Sequence, residues 1–119
     1  MTDRTQEDFG LQNARRILDK YQPQLACFND DVQGTGCVTL AAINAGLHVT
    51  GEKMSDLRIV IFGGGTAGTG IADQLRDAIT VESKKSLDEA SKQIWYAFER
   101  SDSMTLIGNA GSWTRLESS

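Results

Sequence analysis

The sequence has 119 residues, 39% of them apolar and 24% charged, with a formal net charge of −4. That length allows one domain and excludes a complete dinucleotide-binding enzyme with its own substrate domain; the apolar fraction excludes a wholly disordered chain. The acidic balance, with Lys and Arg scattered rather than bunched, excludes nucleic acid and an anionic membrane as the main partner.

In chain order, Met1 to Asp8 is polar and carries no apolar core of a secretory signal. Ala14, Ile17, Leu18 and Tyr21 fall at i, i+3, i+4 and i+7, which predicts an amphipathic helix from about Leu11 to Tyr21, with Pro23 just past its end. A short segment, Leu25 to Phe28, leads into the polar cluster Asn29-Asp30-Asp31. From Gly34 to about Val49 the residues are small and apolar, which predicts a closely packed, largely buried helix. Ser55-Asp56 reads as a turn, and Arg58-Ile59-Val60-Ile61-Phe62 as a buried parallel strand. The apolar run Ile59 to Phe62 is far too short to cross a bilayer. After a glycine loop, Ile71, Leu75 and Ile79 continue as a helix. Ser86-Leu87-Asp88-Glu89 has the form of a capping box before a second strand at Ile94 to Phe98, and Thr105-Leu106-Ile107 is a third candidate. Helix and strand in alternation predict an α/β fold with a parallel sheet.

Cys27 and Cys37 form no CxxC, and the chain has one His. This fits neither a disulfide framework nor a zinc site; packed thiols in a reducing, cytoplasmic compartment are expected. His48, late in the small-residue helix, suits a helix C-terminus.

Gly63-x-Gly65-x-x-Gly68 is the strongest local signal, because it follows an apolar strand directly and opens a helix. Gly63 permits the tight turn, Gly65 lets backbone approach a pyrophosphate, and Gly68 lets the helix pack against the strand. The helix N-terminus adds free N–H groups and partial positive charge. No GxxxxGK[ST] occurs, which excludes a P-loop NTPase. The ribose-binding acid of such a site belongs at the end of the next strand. Glu99 stands there, either in that role or as a solvated charge paired with Arg100.

Two acidic pairs, Glu7-Asp8 and Asp30-Asp31, form the second constellation. Paired carboxylates joined by a helical excursion can converge on a hard cation. Equally, Asp8 can cap the first helix, and Asp30 or Asp31 the helix that starts near Gly34.

Glu7-Asp8-Phe9, followed by Phe28-Asn29-Asp30-Asp31-Val32-Gln33-Gly34-Thr35, resembles the signature of the malic enzyme family. Gly63-Gly64-Gly65-Thr66-Ala67-Gly68-Thr69-Gly70-Ile71-Ala72 resembles its dinucleotide loop. Within the family the malolactic branch is the nearest likeness, from Asn13 to Trp95. The resemblance implies a metal-binding carboxylate segment over residues 1–33 and a partial Rossmann-like NAD-binding domain over residues 34–119. It implies Glu7, Asp8 and Asp31 as ligands of Mn²⁺ or Mg²⁺ and Asp30 as the acid that orients the catalytic lysine. Gly63, Gly65, Thr66, Ala67 and Gly68 would hold NAD. In an extended segment neighbouring side chains point opposite ways, so Asp31 would face the metal and Asp30 would not. The implied reaction is NAD- and Mn²⁺-dependent decarboxylation of L-malate to L-lactate and CO₂, or to pyruvate in malic enzymes proper, by a parent homo-oligomer.

The sequence departs from the family in several places. The family's catalytic tyrosine and lysine lie upstream of the matched stretch, and Lys20 and Tyr21 do not match them. The run Met1 to Gln6 is polar where the family has an apolar strand. Leu11 replaces a common asparagine, and Phe98 occupies the ribose-acid position with Glu99 one place late, which turns the carboxylate to the other face. These departures describe a fragment of a larger enzyme, inactive alone. The competing class is a stand-alone nucleotide-binding module without chemistry.

Overall fold

The computed structural model describes residues 4–6, 11–100 and 103–109, and side chains from Asn13 to Ala97. Strand β1 (Arg4–Gln6) lies parallel to β2 (Cys27–Asn29), in the register Arg4 to Cys27, Thr5 to Phe28 and Gln6 to Asn29. The polar start of the chain thus contains a strand despite its composition. Between the two runs α1 (Leu11–Tyr21), whose inward residues Ala14 and Leu18 pack with Val32 and Cys27 in a small core of their own. Its chain leaves through bonds from the Gln22 N–H to the Leu18 carbonyl (2.9 Å) and from the Leu25 N–H to the Tyr21 carbonyl (3.0 Å).

A π-helical turn, Asp30–Gly34, feeds α2 (Thr35–Thr50), which stops at Gly51, a left-handed residue (φ 75°) donating its N–H to the Leu47 carbonyl. His48 lies in the last turn of α2 and is exposed. The expectation that this helix is largely buried does not hold. Gly36 is its one buried residue, Leu40, Ile43 and Leu47 lean on the main core, and Val38 and Val49 are 71% and 85% exposed. Small apolar residues all round a helix define no face, and the neighbouring helix covers only one side.

A 3₁₀ turn at Met54–Asp56 precedes β3 (Ile59–Phe62), and β3 runs through the glycine loop into α3 (Thr66–Ser83). Lys84, left-handed at φ 55°, ends α3. Ser86 then opens α4 (Leu87–Ser91) with a complete capping box: the Glu89 N–H donates to the Ser86 hydroxyl oxygen, and the Ser86 N–H donates to the Glu89 carboxylate. The chain returns in β4 (Ile94–Arg100), parallel to β3 with Ile59 opposite Ile94 and Phe62 opposite Ala97. The α/β class and its parallel pairing are therefore present. The third strand, β5 (Ser103–Asn109), runs antiparallel to β4, with a register shift between Trp95 and Tyr96. The order is β3-β4-β5.

The main core lies between this sheet and α3: Met54, Ala72, Leu75, Ile79, Ala90, Ile94 and Tyr96. Burying side chains such as Leu75 and Ile79 contributes about 1.5–3 kcal/mol each. Only one face of β3 is covered. Ile59 and Ile61 pack on the core, while Val60 and Phe62 are 57% and 64% exposed, where the sequence predicts a strand buried on both faces. No second layer exists on that side among the described residues, so the alternating pattern of a one-sided sheet results. Among the described residues no helix is long and apolar enough to cross a membrane.

Candidate functional site

The first part of the site is the turn from β3 to α3. Gly63 has φ 104°, a left-handed conformation that favours glycine, and its N–H donates to the Ala97 carbonyl at 2.9 Å. A Cβ on Gly68 would sit 2.3 Å from the Gly63 carbonyl oxygen, so only glycine lets the helix start this close to the strand. Gly65 is the opposite case: a Cβ there would meet nothing within 4 Å, because the backbone faces open space. Gly65 is also the N-cap of α3, and no side chain caps it. The first helical bond runs from the Thr69 N–H to the Gly65 carbonyl (3.0 Å), which leaves the N–H groups of Thr66, Ala67 and Gly68 outside the helical ladder. Three donors at the positive end of an 18-residue helix, beside an unobstructed glycine, make a cradle that fits a pyrophosphate.

Glu99 falls in β4 beyond the stretch paired with β3, opposite Met104 of β5. It sits in a hairpin rather than in a strand-to-helix loop, and its side chain is outside the described residues.

The second part is the acidic turn. Extended backbone stops at Asn29, so Asp30 and Asp31 belong to the π-helical turn. Their side chains diverge by roughly 80–100°, as in helices, rather than by the 180° of an extended strand. Asp30 is exposed and lies over Gly34, where a Cβ would come within 2.2 Å of its carboxylate oxygen; Asp31 is half-buried. Neither caps the helix. The α-helix α2 starts from Gly34, its N-cap, with no side-chain cap, and the π-helical turn before it is capped by Asn29, whose Oδ1 accepts from the Val32 N–H at 3.0 Å while its own N–H donates to Gln33 Oε1 at 3.0 Å. Asn29 is fully buried, and its Nδ2 has no hydrogen-bond partner. Glu7 and Asp8 lie outside the described residues. Among those described, no three His, Cys, Asp or Glu side chains come together. Gln6, however, is paired with Asn29, so both acidic pairs follow directly on the C-terminal ends of two neighbouring parallel strands. Oxygen donors of that number and charge suit Mn²⁺ or Mg²⁺.

The two parts are fastened together. Val32 of the acidic turn presses its carbonyl against α3 at Gly70, where a Cβ would lie 2.1 Å from the oxygen. One turn on, Gln74 Nε2 donates to the Gln33 carbonyl at 2.7 Å. Arg15 of α1 pairs with Asp73 of α3 and with Asp19 (3.2 Å), and Asp73 also holds Arg76 at 2.9 Å. Burial works against the Arg15 charge; the hydrogen bond and charge of Asp73, backed by Asp19, outweigh it and raise the guanidinium above its ordinary value. A cavity of about 150 Å³ lies in this junction, lined by Arg15, Leu18, Val32, Gly70, Asp73 and Gln74. Asn29, Gly70 and Gln74 are structural anchors that the motif reading passes over. The one available signal was Gly70, a further glycine two residues beyond the fingerprint.

Comparison with known proteins gives the family of these residues. The family described as Malic enzyme, NAD binding domain matches residues 32–109. The NAD-dependent malic enzyme of Schizosaccharomyces pombe is 58% identical over 84 residues, 71% of this chain and 15% of its own length. The malolactic enzyme of Lactiplantibacillus plantarum is 48% identical over 94 residues, 79% of this chain and 17% of its own length. The crystal structure of Entamoeba histolytica malic enzyme superposes with a TM-score of 0.63 at 24% identity, covering 86% of this chain and 19% of that one, a likeness of fold. The chain thus spans about one sixth of the length of the curated relatives it matches. The chain belongs to the malic enzyme family, and residues 32–109 match its NAD-binding domain.

Proposed function

We propose that this chain carries the dinucleotide loop and the metal carboxylates of an NAD-dependent, malate-decarboxylating enzyme. The observation that carries the reading is the uncapped start of α3 beside the open Gly65, held rigidly against the acidic turn through Gly70 and Val32. In this reading Gly63, Gly65, Thr66, Ala67 and Gly68 receive the pyrophosphate of NAD. Thr66, Ala67 and Gly68 do so through backbone N–H groups, and Gly63 and Gly65 by leaving room. Glu7, Asp8 and Asp31 hold Mn²⁺ or Mg²⁺, with residues 1–33 as the metal segment and 34–119 as the nucleotide segment. Asp30, exposed beside Asp31, is free to receive the family's catalytic lysine. NAD held at Gly63 to Gly68 would supply a hydride acceptor for malate, and a divalent ion held by Glu7, Asp8 and Asp31 would supply Lewis acidity for the decarboxylation. The rest falls to this chain: holding the acidic turn and the start of α3 in a fixed relation through Val32, Gly70 and Gln74.

On the malolactic likeness from Asn13 to Trp95 we read L-lactate and CO₂ as the products of the parent enzyme, and that enzyme as a cytoplasmic homo-oligomer. A second reading, oxidation to pyruvate with release of NADH, is favoured by the higher identity with the S. pombe enzyme. Product analysis of the full-length enzyme containing this segment separates them: lactate with no net NADH, or pyruvate with one NADH per malate. The 119-residue chain, without the family's tyrosine and lysine, is expected to turn over no malate. Calorimetric titration with NAD tests the shared part, and a chain that binds no NAD defeats it.

A further inference from the structure

We propose that the groove between α2 and α3 is a binding site for a small organic cation with an apolar body, such as an alkyl amine, and that Gln74 carries its occupancy to the acidic turn. The groove has a volume of about 460 Å³, within the range of about 300–1,000 Å³ typical of small-ligand sites. Its α3 wall is one helical stripe, because Gln74, Asp77, Ala78, Val81 and Glu82 fall at i, i+3, i+4, i+7 and i+8. Leu40 lines the α2 side, and Met54, 2% exposed, belongs to the core beneath. The stripe begins about 9 Å further along α3 than Gly68, so the site is separate from the nucleotide cradle and stands whether or not the chain binds NAD or a metal.

Two features of the lining choose the ligand. Val81 stands 82% exposed beside the half-buried Leu40 and Ala78, so water lies against apolar surface that a hydrocarbon body would cover. The charge at the groove has one sign. Asp77 and Glu82 are exposed, and among the described residues no Lys or Arg lines it. Arg76 engages Asp77 through Oδ1 at 3.1 Å, while Glu82 makes no ion pair among the described residues. An anion would meet two carboxylates and no compensating base, whereas an ammonium group meets complementary charge. Gln74 then joins the groove to the acidic turn, since its Nε2 donates to the Gln33 carbonyl at 2.7 Å. Gly36 backs that side chain closely: a Cβ there would lie 3.0 Å from the Gln74 amide. The Gln33 carbonyl shares one planar peptide group with the Gly34 N–H, so a ligand that presses on Gln74 is felt at the Gly34 amide.

The test is titration of the isotope-labelled full chain with hexylammonium, read by the chemical shifts of its backbone amides, with hexanoate and methylammonium as comparison probes. Hexylammonium should give saturable shifts at Leu40, Ala78 and Val81. Hexanoate should bind at least about fivefold more weakly, and methylammonium, which lacks the apolar body, should not saturate. Asp77→Asn combined with Glu82→Gln should raise the Kd about three- to fivefold. Val81→Lys, at an exposed position that tolerates lysine, should abolish binding. The Gly34 amide should move with hexylammonium in wild type and stay still in Gln74→Leu, while the groove amides move in both. No saturable shift at the groove amides, hexanoate binding as tightly as hexylammonium, or methylammonium saturating alike overturns the site. So does binding that survives Val81→Lys, or that changes less than about twofold in the doubly neutralised variant. A Gly34 amide that does not respond, or responds equally in Gln74→Leu, overturns the link through Gln74.

Discussion

Gly70→Ala is the sharpest probe of how the acidic turn is joined to the nucleotide helix. An alanine Cβ would lie 2.1 Å from the Val32 carbonyl oxygen, 2.8 Å from its carbon and 2.9 Å from its Cα, all backbone atoms with no rotamer to escape into. Restoring an ordinary contact requires the turn and α3 to separate by at least about 1 Å. Overpacking of this kind costs about 1–3 kcal/mol. The separation also stretches the 2.7 Å bond from Gln74 to the Gln33 carbonyl, worth about 1 kcal/mol. Alanine's helix propensity returns about 1 kcal/mol. The net expectation is a loss of about 1–3 kcal/mol. Gly46→Ala, in α2, is the control, since its Cβ would meet nothing within 4 Å and only the propensity gain remains. The same chemical change should therefore have opposite signs at two helical glycines. Urea denaturation followed by far-ultraviolet circular dichroism measures both. A Gly70→Ala chain as stable as wild type would refute the close approach of Val32 to α3.

Gly65→Ala should leave unliganded stability within about 0.5 kcal/mol, because φ is −71° and the Cβ meets open space. It should weaken NAD binding at least about tenfold, or about 1.4 kcal/mol, by filling the cradle. Calorimetry with NAD checks this, and undiminished affinity would remove Gly65 from the site. Gly68→Ala should instead lower stability as well as affinity, since its Cβ collides with the Gly63 carbonyl; a chain whose melting temperature is unchanged contradicts that geometry. Glu89, through its bonds from the backbone and hydroxyl of Ser86, titrates below the ordinary carboxylate range. A lowered folded value means that its contribution is complete above the unfolded value and is lost as pH falls through the folded one. Melting curves from pH 6 to pH 3 should therefore fall more steeply for wild type than for Glu89→Gln, and parallel curves would show the capping box to be without that role.

Much of this layout is written locally. The Ser86–Glu89 capping box, the period of α1 and the strand-glycine-helix passage through Gly63 all depend on residues within one or two turns of each other. The parts that escape sequence reasoning depend on partners far along the chain. The small residues of α2 describe an apolar helix but not how many neighbours it has, so Val38 and Val49 read as core and stand exposed. Periodicity marks Thr105 to Ile107 as strand without giving its direction, and the hairpin with β4 sets that direction. Asn29, Asp30 and Asp31 are similar as capping residues. Asn29 caps because β2 ends there, which only the pairing with β1 decides. Gly70 looks like one more glycine in a rich loop until the Val32 carbonyl, brought from the preceding segment, is placed against it.

The way the turn meets α3 also ranks the residues that couple the two halves of the proposed site. Hydride transfer needs the metal-held substrate and the nicotinamide placed to within a fraction of an ångström, so the junction matters more for its stiffness than for its strength. Three devices cross it. The contact of the Val32 carbonyl with the Gly70 backbone has no adjustable parts. The Gln74 side chain reaches the Gln33 carbonyl through rotatable bonds but is half-buried, and a Cβ on Gly36 would lie 3.0 Å from its amide, so α2 backs it closely. The Arg15–Asp73 pair is the softest: Arg15 is half-exposed, shares its charge with Asp19, and exposed pairs contribute about 0–1 kcal/mol. Coupling between metal and nucleotide binding should therefore fall most with Gly70→Ala, less with Gln74→Leu and least with Arg15→Ala. The ordering is the reverse of what formal charge suggests, because a carbonyl wedged against a glycine cannot move without moving the whole helix.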